Sequence, residues 1–181
     1  MQQVRLYSDG SSRGNPGPGG YGTILSFTDS KGEIHEREYS EGYPDTTNNR
    51  MELMGVIRGF EELKKPCHVY VVTDSQYVVK AFNEGWLKNW IARGWKGSDK
   101  KPVKNIDLWQ RLLKATEGHE YTFEWVKGHA GHPENERCDT LATAAADNVS
   151  ALNSAALNSA ALNSAALDNT AASDDTAGDN I

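Results

Sequence analysis

Residues 68–73 read HVYVVT, and this short apolar run constrains the fold more than any other segment. Six residues rich in β-branched side chains suit a strand better than a buried helix. A strand that is apolar on both faces must be covered on both faces, as in the centre of a sheet packed between helices. Upstream, VRLYS at 4–8 alternates in polarity, and YGTILSF at 21–27 and IHEREYSEGY at 34–43 follow turn-forming SSRGNPGPGG and DSKG segments. That pattern predicts three antiparallel strands. From Asn48 to Leu63, Met51, Met54, Ile57 and Phe60 recur at every third position, with Thr46 and Thr47 as candidate caps and Pro66 closing the segment, which predicts a helix. SQYVVKAFNE, KNWIAR and NIDLWQRLLKAT predict three more helices, YTFEWV a strand, and Pro133 to Ala146 a last helix with proline in its first turn. Strands first, then helices alternating with strands, define an α/β fold with a mixed sheet.

Four carboxylates occupy positions from which they can converge: Asp9 and Asp74 at the C-terminal ends of predicted strands, Glu52 and Asp139 on predicted helices. Open α/β sheets bind ligands beyond the carboxyl ends of their strands. Converging acids repel one another unless positive charge lies between them, and divalent cations are the usual solution. Glu52 shares its helix stripe with Gly55, Val56 and Gly59. Each glycine costs about 1 kcal/mol of helix propensity relative to alanine, a cost that is tolerable if it lets the helix approach the sheet closely and sets Glu52 over the strand ends. Neither Cys67 nor Cys138 is spaced to join His129 and His132 in a zinc site.

The chain of 181 residues suffices for one buried domain and an appendage. Residues 1–146 hold all 19 Lys and Arg and 20 of the 25 Asp and Glu, leaving that part near neutrality. The boundary is expected at 147, with 1–147 as the folded domain. Residues 148–181 form an uncommon segment in which Leu152, Leu157, Leu162 and Leu167 repeat every five positions. Five residues advance a helix by about 500°, so these leucines make no stripe. With no face to bury, 148–181 is expected to be a mostly disordered acidic tail that alanine draws transiently into helix. Two cysteines, no secretion signal and no long apolar run make a cytoplasmic location and no membrane contact the expectation, with a monomer as the simplest state.

DGSSRGNPGPGGYG, TTNNRMELMG, TDSQYV, WKGSDKKPVKNIDLWQRL and EWVKGHAGHPENERCD, in this order and spacing, resemble the motifs of bacterial type 1 ribonuclease H over residues 3–146. The resemblance implies a five-stranded mixed sheet flanked by helices and hydrolysis of the RNA strand of an RNA–DNA hybrid with Mg²⁺ or Mn²⁺. It assigns Asp9, Glu52, Asp74 and Asp139 as catalytic, metal-binding acids and His129 as the histidine of a flexible loop. The tail has no counterpart in the family pattern. Independently of that likeness, phosphodiester hydrolysis needs an activated water on one side of phosphorus and charge stabilisation on the other, which two ions can supply. An imidazole between Gly128 and Gly131 suits proton transfer or product release.

Substrate contacts follow from residue chemistry. Between Trp86 and Lys104, Lys88, Arg93, Lys96, Lys100, Lys101 and Lys104 face the single acid Asp99, an electrostatic footprint for a phosphate backbone. Trp86, Trp90 and Trp95 lie in the same segment, where the rings either pin a short helix or contact the sugar and backbone. Relatives carry further bases where this chain has Ile91 and Ala92, which implies weaker hybrid binding with a shallower salt dependence. Asn15, Asn48 and Gln76, beside the acids, can donate to and accept from a 2′-hydroxyl. Backbone groups of Ser11, Ser12 and Gly14 add candidate contacts, as do Thr47 and Asn49 flanking Asn48.

Overall fold

The structure is a computed structural model that describes residues 1–172. Strands β1 (Gln2–Ser12), β2 (Gly17–Thr28) and β3 (Ile34–Thr46) form an antiparallel meander. After helix α1 (Asn48–Glu61), strand β4 (Cys67–Thr73) joins β1 in parallel. Helices α2 (Gln76–Asn83), α3 (Trp86–Ala92) and α4 (Ile106–Thr116) precede β5 (Glu120–Trp125), which pairs in parallel with β4, and α5 (Pro133–Ala172) ends the described chain. The sheet order is β3-β2-β1-β4-β5, the mixed five-stranded arrangement expected.

The glycine- and proline-rich segment expected as a long turn is largely strand. Ser11 and Ser12 pair with Gly20 and Gly19, so the turn shrinks to residues 13–16. The glycines serve packing there. Gly10 faces α1, and a Cβ on it would lie 2.5 Å from the Glu52 backbone nitrogen. On α1 itself, a Cβ at Gly55 would meet Ser8 Oγ at 2.7 Å, and one at Gly59 would overlap the Leu6 side chain. The other sheet face accepts α5 in the same way: a Cβ at Gly20 would meet Ala145 Cβ at 2.7 Å, and one at Gly42 the Ala145 carbonyl oxygen at 2.5 Å. Bare backbone on both sides of β1 and β2 therefore lets both acid-bearing helices approach closely.

Between α1 and the sheet, Leu6, Leu53, Val56, Ile57, Val69 and Val71 are fully buried. Trp109 of α4, also fully buried, packs against Tyr77 and Trp90 at ring-centroid distances of 5.2 and 5.5 Å. Its indole N–H donates to the Tyr77 hydroxyl at 3.1 Å. Trp90 thus pins α3 to the body, one of the two roles open for the tryptophans in the sequence. Arg137 at the start of α5 donates to Glu36 at 2.9 Å and also pairs with Glu38, tying the helix to β3.

The last helix does not stop at Ala146. Residues 148–172, expected to be mostly disordered, continue α5 as helix, while 173–181 of that segment lie outside the described residues. The physical reason is propagation: once Cys138, Ala142 and Ala146 are buried on the sheet, nucleation is complete, and each further alanine-rich turn extends the helix at little cost. Consistent with the five-residue leucine spacing, no residue from Ala151 to Ala165 is buried, and Leu152, Leu157 and Leu162 are 62%, 72% and 72% exposed. No described helix is long and apolar enough to cross a membrane.

Two outcomes test this packing. Gly10→Ala should cost about 1–3 kcal/mol in urea denaturation, because backbone rather than a movable side chain occupies the space. A chain ended at Ser150 should unfold within about 0.5 kcal/mol of the full chain, since no residue from Ala151 to Ala165 is buried. A larger loss would mean the helix beyond Ser150 is held by the body.

Candidate active site

Asp9 lies on β1, the strand flanked by both β2 and β4, and is 5% exposed. Its Oδ1 accepts from the Gly10 N–H at 2.8 Å. Glu52, 6% exposed, reaches the same point from α1. Asp74 follows the last residue of β4, between that strand and the Ser75 cap of α2, whose hydroxyl accepts from Val78 N–H at 3.3 Å. The three carboxylates each bring an oxygen to within 4.8 Å of the others. Asp139 of α5, half-buried, stands outside this tight group but close enough for its charge to act on Asp9 and Asp74.

The electrostatics record the crowding. Burial first, and the Asp74 charge second, push the Asp9 carboxyl up to about 8. Burial followed by the charges of Asp9 and Asp74 holds Glu52 well above the usual carboxylate range. Burial raises Asp74 as well, with partial relief first from its backbone N–H and then from a hydrogen bond with Asp9. Glu52 Oε2 is buried and has no hydrogen-bond partner among the described residues, and no described Lys or Arg forms an ion pair with any of the four acids. A buried carboxylate oxygen left without a donor, inside a group of three acids, is an environment that a hard divalent cation completes.

The neighbouring loops are coupled to this centre. Asn15 Oδ1 accepts from the Asn48 backbone N–H at 3.2 Å, joining the β1–β2 turn to the start of α1. The cap of α1 is Thr47, which accepts from Arg50 N–H at 3.3 Å, so the Asn48 side chain is not needed for capping. Asn48, Asn49 and Gln76 are exposed beside the acids, Ser11 and Ser12 are half-buried, and Gly14 is exposed. His129 is exposed at φ 55. A Cβ on the preceding Gly128 would lie 2.6 Å from Asp74 Oδ2, so this glycine serves close approach of the loop to the acid.

The basic segment stands on α3 and the loop after it. That loop is closed by Gly97 N–H to the Lys101 carbonyl at 2.8 Å and Val103 N–H to the Trp95 carbonyl at 3.0 Å. Lys88, Arg93, Lys96, Lys100, Lys101 and Lys104 are all exposed, and Trp86, Trp90 and Trp95 are half-buried against the body. Ile91, 51% exposed, interrupts the patch. Sequence reasoning missed several supporting groups. Arg50 grips Asp107 at 2.7 and 3.0 Å and Asn105 at 3.2 Å, bracing α1 against α4. Trp125 donates its indole N–H to the Asp74 carbonyl at 3.0 Å. Arg13 bonds Asp147 at 2.7 and 3.0 Å across 134 residues. Pairs so distant in sequence leave no local signal.

A mixed sheet with acids gathered at the ends of its central strands defines a hydrolase-type site completed by divalent metal. Comparison with known proteins identifies which kind. A profile of the RNase H family matches residues 1–147. A Ribonuclease H of Lachnoclostridium phytofermentans is 66% identical over 146 residues, covering 80% of this chain and 92% of the relative. A Ribonuclease H of Escherichia coli O127:H6 is 58% identical over 148 residues, covering 82% and 92%. Among solved structures, LC9-RNase H1, described as a type 1 RNase H with the type 2 active-site motif, matches at a TM-score of 0.74 and 36% identity, over 82% of this chain and 74% of that one. The chain belongs to the RNase H family, and its chemistry is accordingly dependent on divalent metal.

The raised acids give a signed pH dependence. A carboxyl displaced upward on folding stabilises the fold below its unfolded value, near pH 4, and that stability is lost as pH rises through about 8. Metal-free protein in chelator should therefore lose stability between about pH 4 and pH 8. Asp9→Asn should flatten the loss and exceed the parent by on the order of 2 kcal/mol at pH 9. Parallel urea-denaturation profiles across pH 5–9 would remove the like-charge account of the site.

Proposed function

We propose that this protein is an endoribonuclease that hydrolyses the RNA strand of RNA–DNA hybrids with two divalent ions, Mg²⁺ or Mn²⁺ in its place, leaving 5′-phosphate and 3′-hydroxyl ends. The observation that carries the reading is the group of Asp9, Glu52 and Asp74 with its orphaned, buried Glu52 oxygen. Divalent ions supply the charge that activates the attacking water and stabilises the leaving oxygen of an in-line displacement.

The chain's own residues do the rest. Asp9, Glu52 and Asp74 hold the ions, with Asp139 completing the set from the opposite face of the sheet. Asp9 would be the most rigidly held of these ligands, because a carboxylate on a central strand has the least freedom to move. His129 accepts a proton at its imidazole or carries one away as product leaves, from a loop that Gly128 lets approach Asp74. Asn15, Asn48 and Gln76, with backbone groups of Ser11, Ser12 and Gly14 and flanking Thr47 and Asn49, read the 2′-hydroxyls of the RNA strand. Lys96, Lys100 and Lys101 bind phosphates from a rigidly closed loop, and Trp86 and Trp90 face sugar and backbone beside them.

End-labelled RNA–DNA, DNA–DNA and RNA–RNA duplexes incubated with Mg²⁺ test this. Only the RNA of the hybrid should be cut, and cutting should stop in chelator. Asp9→Asn should lower the rate by at least about 10³, and His129→Ala by about 10²-fold, the lower end of what one proton-transfer group supplies. Cleavage of duplex DNA, or unimpaired cutting by Asp9→Asn, would overturn the reading.

A further inference from the structure

We propose that Arg13 is a phosphate anchor for the substrate, held in reserve by Asp147, and that hybrid binding transfers its guanidinium from that carboxylate to a backbone phosphate. The inference rests on the hybrid-cleaving reading given above and concerns the same surface.

Arg13 occupies the turn between β1 and β2, flanked by Ser11, Ser12, Gly14 and Asn15. The turn cannot swing freely. Arg13 N–H donates to the Pro18 carbonyl at 2.6 Å, and Asn15 is bonded to Asn48. A Cβ at Gly17 would overlap the Arg13 carbonyl, so the backbone around Arg13 is close-packed. The side chain is the movable part. It lies along α5, with both bonds made to Asp147 two turns beyond Asp139, and Asp139 also acts on its charge. Arg13 is four residues past Asp9, about 13 Å along an extended strand, a distance spanned by a few phosphates of one nucleic-acid strand.

The pair is poised to exchange. Side-chain exposures of 47% for Arg13 and 57% for Asp147 place it in water, where an ion pair contributes little and opens readily. An approaching polyanion repels Asp147 and attracts Arg13, so both charges favour the transfer. The fork geometry that fits the carboxylate fits two phosphate oxygens equally well. Asp147 lies near the end of the part of α5 that packs on the sheet: Ala146 is fully buried, Val149 and Ser150 are half-buried, and no residue from Ala151 to Ala165 is buried. The extended helix thus begins with the acid that parks the anchor, which links this segment to substrate binding through one contact.

The test is hybrid binding across a series of salt concentrations, with cutting blocked by Asp9→Asn in every protein compared. Arg13→Gln should weaken binding about threefold to tenfold and reduce the magnitude of the slope of log K against log salt by about 0.7–0.9, one phosphate contact. Asp147→Asn should do the opposite in affinity, tightening binding about twofold to fivefold with the slope unchanged, because Arg13 no longer has to be released. Thermal unfolding of both variants should match the parent. If the pair is only a strap for the turn, both variants break it and both weaken binding alike; if it is idle, neither changes anything. Either result overturns the proposal. Failure of the parent to bind hybrid at all would instead overturn the functional reading.

Discussion

Mutual repulsion of buried carboxylates is the constraint on which the rest of this structure depends. Asp9, Glu52 and Asp74 each bring an oxygen to within 4.8 Å of the others, and burial first of all pushes each toward its neutral form. Such an arrangement persists only if the surrounding structure over-determines it. Here the determination comes from backbone contact. Gly10, Gly55 and Gly59 bring α1 against β1 and carry Glu52 with it, while Gly20, Gly22 and Gly42 admit α5 and with it Asp139. The core stores the repulsion that a divalent cation relieves.

The same logic separates the rigid from the adjustable parts. The acids sit on a central strand, at a strand end and on packed helices. The groups proposed to read the nucleic acid lie at the edges of that frame, on the β1–β2 turn, the first turns of α1, α2 and α3 and the loop after α3, and Asn15 is tied to α1 through the Asn48 N–H. A scaffold that fixes the reacting centre and leaves its periphery on exposed loops is the usual division of labour in α/β enzymes. The lysines of the α3 loop follow it too, with backbone hydrogen bonds closing the loop and charged ends left in water.

Much of this was legible in the chain. The HVYVVT run marked a central strand, the three-residue repeat of Met51, Met54, Ile57 and Phe60 marked the buried face of α1, and the glycines beside Glu52 foretold its close approach to the sheet. Two expectations shifted. The SSRGNPGPGG segment reads as turn because glycine and proline break isolated strands, yet Gly17, Gly19 and Gly20 lie in the ladder, where the missing side chains make room for Arg13, for Thr46 and Met51, and for α5 respectively. The segment after Ala146 shows no apolar stripe, which argues against a packed helix; a helix already nucleated on the sheet needs no stripe to continue.

The sequence by itself determined the strand and helix identities, the four acids and the basic segment, because hydrophobic period, caps and residue chemistry are local properties. Only the tertiary structure decided which acids form the tight group, that Gly128 rests on Asp74, and that Arg13 meets Asp147 across 134 residues. Those outcomes depend on how two helices seat on opposite faces of one sheet. Contacts between residues far apart in the chain leave no periodic trace in a single sequence.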